Sequence, residues 1–252
     1  MNIQYYSDLH LEFPRNREFL QKHPLEPVAD ILVLAGDIVP FGEMKKRRDF
    51  FKYLSDNFKA TCWLPGNHEY YHYDAAERSG VLHESIMENV FLVNNVCEVV
   101  NDVRFVFSTL WSKISPANSW LIEKRMNDFH AIQYGGYRLS VEKYNEMHQA
   151  GFDFISNALE ENNNQRTVVC THHVPTFLNY PERYKGDSLN EAFAVELFDF
   201  IESSGVSHWI YGHHHNNTPP FTIGKTTLLT NQLGYVQYNE HQLFEKNKVF
   251  EV

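Results

Sequence analysis

Seven potential metal ligands occur in five short strings that follow, or lie within, apolar runs of the chain. The strings are SDLH (7–10), AGDI (35–38), PGNHE (65–69), THH (171–173) and YGHHH (211–215). The candidate ligands in them are Asp8, His10, Asp37, Asn67, His172, His213 and His215. Divalent metals of hard or borderline character bind carboxylate, amide and imidazole groups, which strand ends can bring together. The order and types of these residues therefore predict a metal site.

Two pairs of candidate ligands are separated by a single residue. Alternation along a strand points Asp8 and His10 to the same side, and His213 and His215 share this spacing. The carboxylate of Asp37 has two oxygens and can bridge two cations. Two metals about 3.5–4 Å apart can hold a phosphoryl oxygen between them and generate a hydroxide. The pattern thus favours hydrolysis of a phosphate ester.

His68 and Glu69 directly follow the candidate ligand Asn67. His68 is well placed to protonate a leaving alkoxide beside the metals. Glu69 could hold that imidazole in a useful orientation, as carboxylates commonly do. The predicted catalytic residues are therefore Asp37, His68 and Glu69.

The histidine pair at 172–173 leaves the seventh ligand open. His172 directly follows the strand-like run VVCT, which favours it by register, whereas the His-x-Pro spacing favours His173. We assign His172 to the metal and His173 to the substrate. His214, between two ligands, is expected to point away from the metals. His148 is isolated, and we expect it on a surface or helix face.

Short apolar runs alternate with helical patterns in both halves of the chain. Strands are predicted at residues 3–6, 31–34, 61–64, 91–94, 103–110, 167–170, 208–211 and 226–229. Helices are predicted at 45–57, 74–89, 141–162 and 190–203, with a stop at Gly205, and a short loop at 161–165. Turn signals within 91–110 predict an antiparallel meander. The expected fold is α/β, a two-sheet mixed β-sandwich flanked by helices in four layers.

Residues 1–252 are predicted to form a single domain, because no repeat or Pro/Gly linker marks a boundary. The segments 112–140 and 176–188 fit neither pattern and are expected to be loops or caps at the active site. Their Trp120, Arg183 and Lys185 are candidate substrate contacts. Arg125 and Asp128 have the i,i+3 spacing of a surface pair.

Composition excludes several classes of partner. The formal net charge is −10, and no basic stripe is present, so nucleic acid is an unlikely partner. The three cysteines are widely spaced, which predicts buried free thiols and no disulfide framework. The N-terminus lacks signal-peptide features and no apolar run reaches the length of a membrane span. We expect a cytoplasmic protein without a membrane partner; its oligomeric state is unknown from these patterns.

D-x-H, G-D, G-N-H-E, H and G-H-x-H, in this order from Asp8 to His215, resemble the motifs of the calcineurin-like metallophosphoesterases. The resemblance implies a dinuclear centre that hydrolyses phosphomonoesters or phosphodiesters through a metal-bridging hydroxide. It assigns to the first metal Asp8, His10, Asp37 and His215, and to the second Asp37, Asn67, one histidine of the 172–173 pair and His213. His68 matches the histidine that contacts the phosphate and assists the leaving group.

The oxygen and nitrogen ligands suit two divalent metal ions, Mn²⁺ or Fe first, with Zn²⁺, Co²⁺ or Mg²⁺ compatible. Protein phosphatases of the superfamily carry an arginine soon after the second motif and another before G-N-H-E. IVPFG (38–42) and Leu64-Pro65 stand at these places, which argues against phosphoprotein phosphatase activity. We expect a small phosphorylated molecule or a nucleotide as the substrate. STLWS (108–112), MNDF (126–129) and THHVP (171–175) resemble a bacterial and phage subgroup. The alternatives are a nucleic-acid phosphodiesterase and a non-catalytic scaffold on the same fold.

Overall fold

The computed structural model describes residues 1–161 and 165–252. Its β-strands are β1 (Asn2–Tyr6), β2 (Ile31–Ala35), β3 (Ala60–Leu64), β4 (Leu82–Met87), β5 (Val90–Asn94), β6 (Val96–Val100), β7 (Val103–Ser108), β8 (Gln133–Tyr134), β9 (Tyr137–Arg138), β10 (Arg166–Thr171), β11 (His208–Ile210), β12 (Phe221–Ile223), β13 (Thr226–Leu229) and β14 (Val249–Glu251). Its α-helices are α1 (Pro14–Lys22), α2 (Arg48–Asn57), α3 (Ser119–Arg125), α4 (Asp128–Ala131), α5 (Val141–Glu160) and α6 (Phe198–Ser204).

Two mixed sheets form the framework, each with six strands in the part of the chain that is described. The first has the order β14-β1-β2-β3-β5-β4 and the second β12-β13-β11-β10-β7-β6. In both, the four inner strands are parallel to one another, and each edge strand is antiparallel to the inner strand beside it. The carboxyl ends of the parallel strands therefore lie together at one edge of each sheet, where ligands of α/β proteins commonly bind.

Side chains along the inner strands alternate between two cores. In β1, Ile3 and Tyr5 pack between the sheets, whereas Tyr6 packs in the core outside the first sheet. That outer core includes Leu54 of α2, and the core outside the second sheet includes Ile155 of α5. Burial on both faces explains the continuous apolar runs of these strands. The layers run helix, sheet, sheet, helix, which confirms the predicted sandwich.

Eight strands were predicted, and each is found. The run 208–211 exceeds β11 by one residue, and the error at a second run is larger. The run 103–110 was expected to be strand throughout, but β7 ends at Ser108. Leu110 and Trp111 have φ of 65° and 48°, which no strand can accommodate.

Among the described residues, no helix has both the length and the apolar character needed to span a membrane.

The helix predicted at 74–89 is wrong. The side chain of Asp74 accepts a hydrogen bond from the amide of Ala76 and caps a 3-10 turn, Ala75–Glu77, and Gly80 then turns the chain with φ of 84°. Residues beyond it form β4, which pairs antiparallel with β5 along the edge of the first sheet. Pairing with a neighbouring strand outweighs the helical spacing of the apolar residues.

The meander predicted within 91–110 is wrong in part. Its three strands exist as β5, β6 and β7, but β5 belongs to the first sheet and β6 and β7 to the second. Asn95, with φ of 48°, connects β5 to β6 across the sandwich. The Asn101-Asp102 turn joins β6 and β7 as a hairpin, as expected.

The remaining helices are shorter than predicted. Residues 45–57 divide into a 3-10 helix (Phe41–Arg47) and α2, and 190–203 into a 3-10 helix (Ser188–Ala192), an extended stretch and α6. The extended stretch forms because Ala194 bridges to Val174, and Gly205 ends α6 as predicted, with φ of 70°. α5 confirms the helix from 141, whose predicted last residue lies outside the described residues, as does most of the loop at 161–165.

Two predictions concern isolated side chains. Cys62 and Cys170 are free and buried, whereas Cys97 is half-buried. His148, expected on a surface or helix face, is buried, and its Nδ1 lies 3.1 Å from the carbonyl oxygen of Trp111. His148 does lie on a helix, α5, but on the face that packs toward the loop after β7, so only the expected surface position is wrong.

Candidate metal centre

The candidate ligands lie in loops at the carboxyl ends of five parallel strands. Asp8 and His10 follow β1, Asp37 follows β2 and Asn67 follows β3. From the second sheet, His172 follows β10, and His213 and His215 follow β11. The two sheets present these ends on the same side of the sandwich, so residues up to 207 positions apart come into contact: Asp8 Oδ1 lies 3.3 Å from His215 Nε2.

Five of these seven residues have a left-handed backbone. Their φ angles are 56° for Asp8, 47° for His10, 56° for Asp37, 77° for His213 and 49° for His215. Non-glycine residues seldom adopt this conformation, and such strain is concentrated at functional sites. The turn reverses the chain immediately after each strand and aims the side chain back across the strand ends.

The first group of donor atoms belongs to Asp8, His10, Asp37 and His215, all within 4.8 Å of one another. His10 Nε2 lies 2.9 Å from His215 Nε2 and 3.8 Å from Asp37 Oδ2. Two imidazole nitrogens that face each other at this distance, with carboxylate oxygens beside them, are the environment a divalent cation needs. The residues present fit a metal ion here.

The second group belongs to Asp37, His172 and His213, with the amide of Asn67 beside them. His172 Nε2 lies 3.4 Å from Asp37 Oδ2, 3.1 Å from His213 Nδ1 and 3.2 Å from Asn67 Oδ1. His172 Nδ1 donates to the carbonyl oxygen of Ala35 at 2.9 Å, which directs the Nε2 lone pair to the group. Asp37 Oδ2 therefore faces both groups, which fits a pair of metals.

The other histidine of the pair does not join either group. His173 is fully buried, and its Nε2 lies 3.1 Å from the hydroxyl of Tyr144. The register argument that favoured His172 agrees with this geometry, whereas a fully buried His173 has no surface to offer a substrate. His214 lies 2.9 Å from the amide of Gln232 and points away from the two groups, as expected.

Close packing beside the candidate ligands leaves room only for glycine at Gly36, Gly66 and Gly212, where a Cβ would lie within 2.6 Å of a neighbouring atom. A Cβ at Gly36 would lie 2.3 Å from His172 Nδ1, and one at Gly66 would lie 2.2 Å from Asp37 Oδ1. Gly36 also has φ of 88°. Gly36 and Gly66 allow the two ligand loops of the first sheet to approach His172 of the second.

Electrostatics divide the histidines into two kinds. Burial lowers the pKa of His172, but the Asp37 carboxylate raises it more, to about 9. Burial also lowers the pKa of His215, but the hydrogen bond that His215 donates to Asp8 raises it more, to about 10. Burial and the neighbouring His173 hold the pKa of His213 well below its usual range. Burial raises the pKa of Asp37, but the histidines, His172 foremost, hold it well below its usual range. The carboxylate is thus ionised, as metal binding requires.

Sequence reasoning missed Glu12, which holds two histidines at once. Its Oε1 lies 2.9 Å from His68 Nδ1 and 3.1 Å from His10 Nδ1. The signal was present, because Glu12 continues the two-residue spacing of Asp8 and His10. His68 also stacks on Tyr71, with ring centroids 4.1 Å apart, and its Nε2 lies 3.2 Å from the hydroxyl of Tyr235.

Glu69 does not orient His68, so that prediction is wrong. Its Oε2 accepts from the amides of Asp37 at 2.9 Å and Gly66 at 2.6 Å, and its Oε1 accepts from the amide of Ile38 at 2.7 Å. Glu69 is fully buried, and burial followed by the charge of Asp37 raises its pKa to about 8. Its role is to tie the loop after β2 to the loop after β3.

Asp128 is not part of a surface pair with Arg125, which corrects a second prediction. It is fully buried, and its Oδ1 accepts from Asn67 Nδ2 and from the hydroxyl of Tyr71, both at 2.8 Å. Fixing the amide nitrogen of Asn67 turns its oxygen toward His172 and Asp37. The MNDF string thus carries a residue that positions a candidate ligand.

Two cavities adjoin the donor groups. The first, of about 390 Å³, we call the aromatic cavity. Its lining includes the candidate ligands Asp37, Asn67, His213 and His215, and the aromatic residues Tyr71, Tyr180, Tyr184, Phe193 and Tyr235. The second, of about 640 Å³, we call the outer cavity. Its lining is Glu12, Phe13, Pro40, Gly42, Glu43, Lys46, His68, Tyr71, His72, Asn127 and Tyr235.

Both segments predicted to cap the site reach the aromatic cavity, but not through the residues that were singled out. Within residues 1–161 and 165–252, its lining includes neither Trp120, Arg183 nor Lys185. Trp120 is 70% exposed, the Arg183 guanidinium lies over the ring of Tyr184, and Lys185 pairs with Glu182. Arg125 lines the cavity instead.

Comparison with known proteins identifies the family. Residues 1–217 match the family model of the calcineurin-like phosphoesterases, a span that contains all seven candidate ligands. The chain is a calcineurin-like phosphoesterase. It is accordingly a metal-dependent phosphoric ester hydrolase, as the sequence predicted.

This calcineurin-like phosphoesterase is also similar to two individual proteins. "Uncharacterized protein L509" of Acanthamoeba polyphaga mimivirus is 32% identical over 261 residues, which cover 92% of the present chain and 91% of the viral one. The crystal structure of phosphopantetheinyl hydrolase (PptH) from Mycobacterium tuberculosis has a TM-score of 0.70 at 17% identity, covering 99% of the present chain and 95% of the other. The second similarity bears on the fold.

Proposed function

We propose that this phosphoesterase binds two divalent metals and hydrolyses an ester of a small phosphorylated molecule, with nucleotides as the leading class. The observation that carries the proposal is the position of Asp37 Oδ2, 3.4 Å from His172 Nε2 and 3.8 Å from His10 Nε2, between the two groups of donor atoms. Asp8, His10, Asp37 and His215 would hold one metal; Asp37, Asn67, His172 and His213 would hold the other.

The donor set bears on the choice of metal. Imidazole, carboxylate and amide donors are present and thiolate is not among the residues of either group, which favours Mn²⁺ or Fe and is compatible with Zn²⁺, Co²⁺ or Mg²⁺. Two such ions neutralise charge on a phosphoryl group and make a bound water acidic enough to attack phosphorus near neutral pH.

His68 is the proposed proton donor to the leaving oxygen. Its Nδ1 is bound to Glu12, so the proton to be transferred is the one on Nε2, which lies 3.2 Å from the Tyr235 hydroxyl. Burial lowers the pKa of His68, but the charges of Asp37 and Glu12 raise it by more than burial lowers it. The net shift is upward and favours the protonated form. Positioned acids of this kind contribute about 10²–10⁴-fold to a rate.

The walls of the aromatic cavity support a substrate of limited size. A volume of about 390 Å³ lies in the range of small-molecule sites, roughly 300–1,000 Å³. Five aromatic rings can stack on a planar group such as a base, and Arg125, which is exposed, supplies a cation on the same wall. We assign substrate contacts to Arg125 and Tyr184 in the cap segments of one domain.

The test uses purified protein loaded with Mn²⁺, acting on p-nitrophenyl phosphate and bis-p-nitrophenyl phosphate. Asp37→Asn and Asn67→Ala should each lower kcat/KM by about 10²-fold or more, since both remove a metal ligand. Glu18→Gln, at an exposed position of α1, serves as the matched control. Hydrolysis that survives both ligand substitutions would overturn the proposal.

A further inference from the structure

His68 lines both the aromatic cavity and the outer cavity. The two share four lining residues, which are His68, Tyr71, Asn127 and Tyr235. The aromatic cavity contains the candidate metal ligands, whereas the outer cavity contains none of them and extends from His68 toward Phe13 and Gly42. A phosphorus atom held beside Asp37 and His68 therefore has open space on two sides.

We infer that the substrate is a phosphodiester, with one ester substituent in the aromatic cavity and the second in the outer cavity. This inference rests on the proposed function and narrows it. A phosphomonoester has a single carbon substituent, which would fill one cavity and leave the other, of about 640 Å³ or about 390 Å³, to water. A diester buries apolar surface in both, and each buried carbon contributes to binding.

The reaction at this junction balances as ordinary hydrolysis. A water oxygen forms a bond to phosphorus as the bond from phosphorus to one ester oxygen breaks. The departing oxygen takes the bonding electron pair and receives the proton of His68, and the proton lost by the water restores His68. The products are an alcohol and a phosphomonoester. His68 lines both cavities and so borders the ester oxygens on either side.

The outer cavity indicates what the second substituent is like. The rings of Phe13 and Tyr235 are perpendicular, 5.3 Å apart, and give the cavity an apolar wall. Its charged residues already have partners in the protein. Glu12 pairs with His10 and His68 through Oε1, and Glu43 pairs with Lys46 at 3.3 Å. An uncharged organic group that packs on a ring fits this wall best.

Gly42 provides a way to fill the outer cavity without changing the ligands. It is exposed, no atom lies within 4 Å of a Cβ built on it, and its φ is outside the left-handed region. Gly42→Trp should lower the ratio of kcat/KM for bis-p-nitrophenyl phosphate to that for p-nitrophenyl phosphate by about tenfold or more, because a bulky ring takes the space of one substituent. Gly42→Ala should keep that ratio within about twofold.

The wild-type protein should also prefer the diester over the monoester. A preference for the monoester, or a Gly42→Trp ratio equal to the wild-type ratio, would overturn the inference while leaving the proposed function intact. Absence of hydrolysis of both substrates by wild-type protein would instead overturn the proposed function. Thermal melting of both variants separates misfolding from a change in preference.

A second readout does not depend on turnover. Gly42→Cys, combined with His68→Gln to suppress hydrolysis, introduces an exposed thiol at the outer cavity. The native thiols react slowly, since burial raises the pKa of Cys62 to about 12 and also raises that of Cys97 and Cys170. Saturating bis-p-nitrophenyl phosphate should slow maleimide labelling at position 42, whereas p-nitrophenyl phosphate should not. Equal labelling rates with and without the diester would overturn the inference.

Discussion

Glu12→Gln is expected to weaken the proposed proton donor His68 without removing any candidate metal ligand. The Glu12 carboxylate is ionised, because His10 and His68 lower its pKa to about 2 against the effect of burial. One oxygen, Oε1, serves both histidines, at 3.1 Å and 2.9 Å. The glutamine keeps the shape and one acceptor oxygen but loses the negative charge that stabilises protonated His68.

The magnitude follows from the change in hydrogen-bond type. A hydrogen bond to a charged partner contributes about 1.5–3 kcal/mol and a neutral one about 0.5–1.5 kcal/mol, so the protonated form of His68 loses about 1–1.5 kcal/mol. That loss corresponds to roughly tenfold less protonated His68 at pH values above its pKa. Removing a carboxylate lowers the pKa of His68. The rate should therefore fall on the alkaline side of the pH–rate profile and stay unchanged on the acid side.

The assay is kcat for an aryl phosphate ester at saturating Mn²⁺, measured across pH for wild type, Glu12→Gln and the control Glu18→Gln. Because Glu12 also holds His10, the variant should bind Mn²⁺ about 10–100-fold more weakly, and saturation has to be established for each protein. A profile for Glu12→Gln that superimposes on that of wild type over the whole pH range would refute the role given to His68 and Glu12.

Four further predictions concern the supporting residues. Asp128→Ala should weaken Mn²⁺ binding about 10–100-fold, measured by calorimetry, because Asn67 can then rotate; unchanged affinity would contradict this. Gly66→Ala should lower the free energy of unfolding, measured in urea, by about 1–3 kcal/mol, because the added Cβ collides with Asp37. Stability equal to that of wild type would contradict this and mean that the loops shift to accommodate the methyl group. Mn²⁺ at 100 times its Kd should raise the free energy of unfolding by about 2.7 kcal/mol and raise Tm by about 5–11 °C. A chelator should reverse both changes. Burial lowers the pKa of His148 below its unfolded value, so its contribution to the stability of metal-free protein is complete above about pH 6.5 and is lost as pH falls. The stability difference between wild type and His148→Asn should therefore shrink toward pH 5.

The grouping of the candidate ligands was predictable because each depends on local sequence. Asp8 and His10 follow an apolar run, and the parallel strands that such runs form bring their carboxyl ends to one edge. The choice between His172 and His173 followed from register alone, since successive residues after a strand point to opposite sides.

The supporting residues were harder to predict because they depend on contacts between distant elements. Asp128 accepts a hydrogen bond from Asn67, which is 61 positions away in the sequence. The string MNDF contains no pattern that predicts burial of this aspartate. Glu69 was assigned to His68 because the two are adjacent, but the donors left by the turns at Asp37 and Gly66 compete for its carboxylate. β4 was mistaken for a helix because only its partner strand distinguishes the two periods.

The left-handed backbone at five candidate ligand positions has an evolutionary consequence. Aspartate, asparagine and histidine enter this conformation more readily than most residues with a side chain, and it costs others about 1–2 kcal/mol. Selection at positions such as Asp8 and His213 therefore acts on chain geometry as well as on metal affinity. Descendants of this protein that abandon hydrolysis should retain asparagine or glycine there and seldom acquire alanine or valine. Loss of activity would then leave a record in the residue types that replace the ligands.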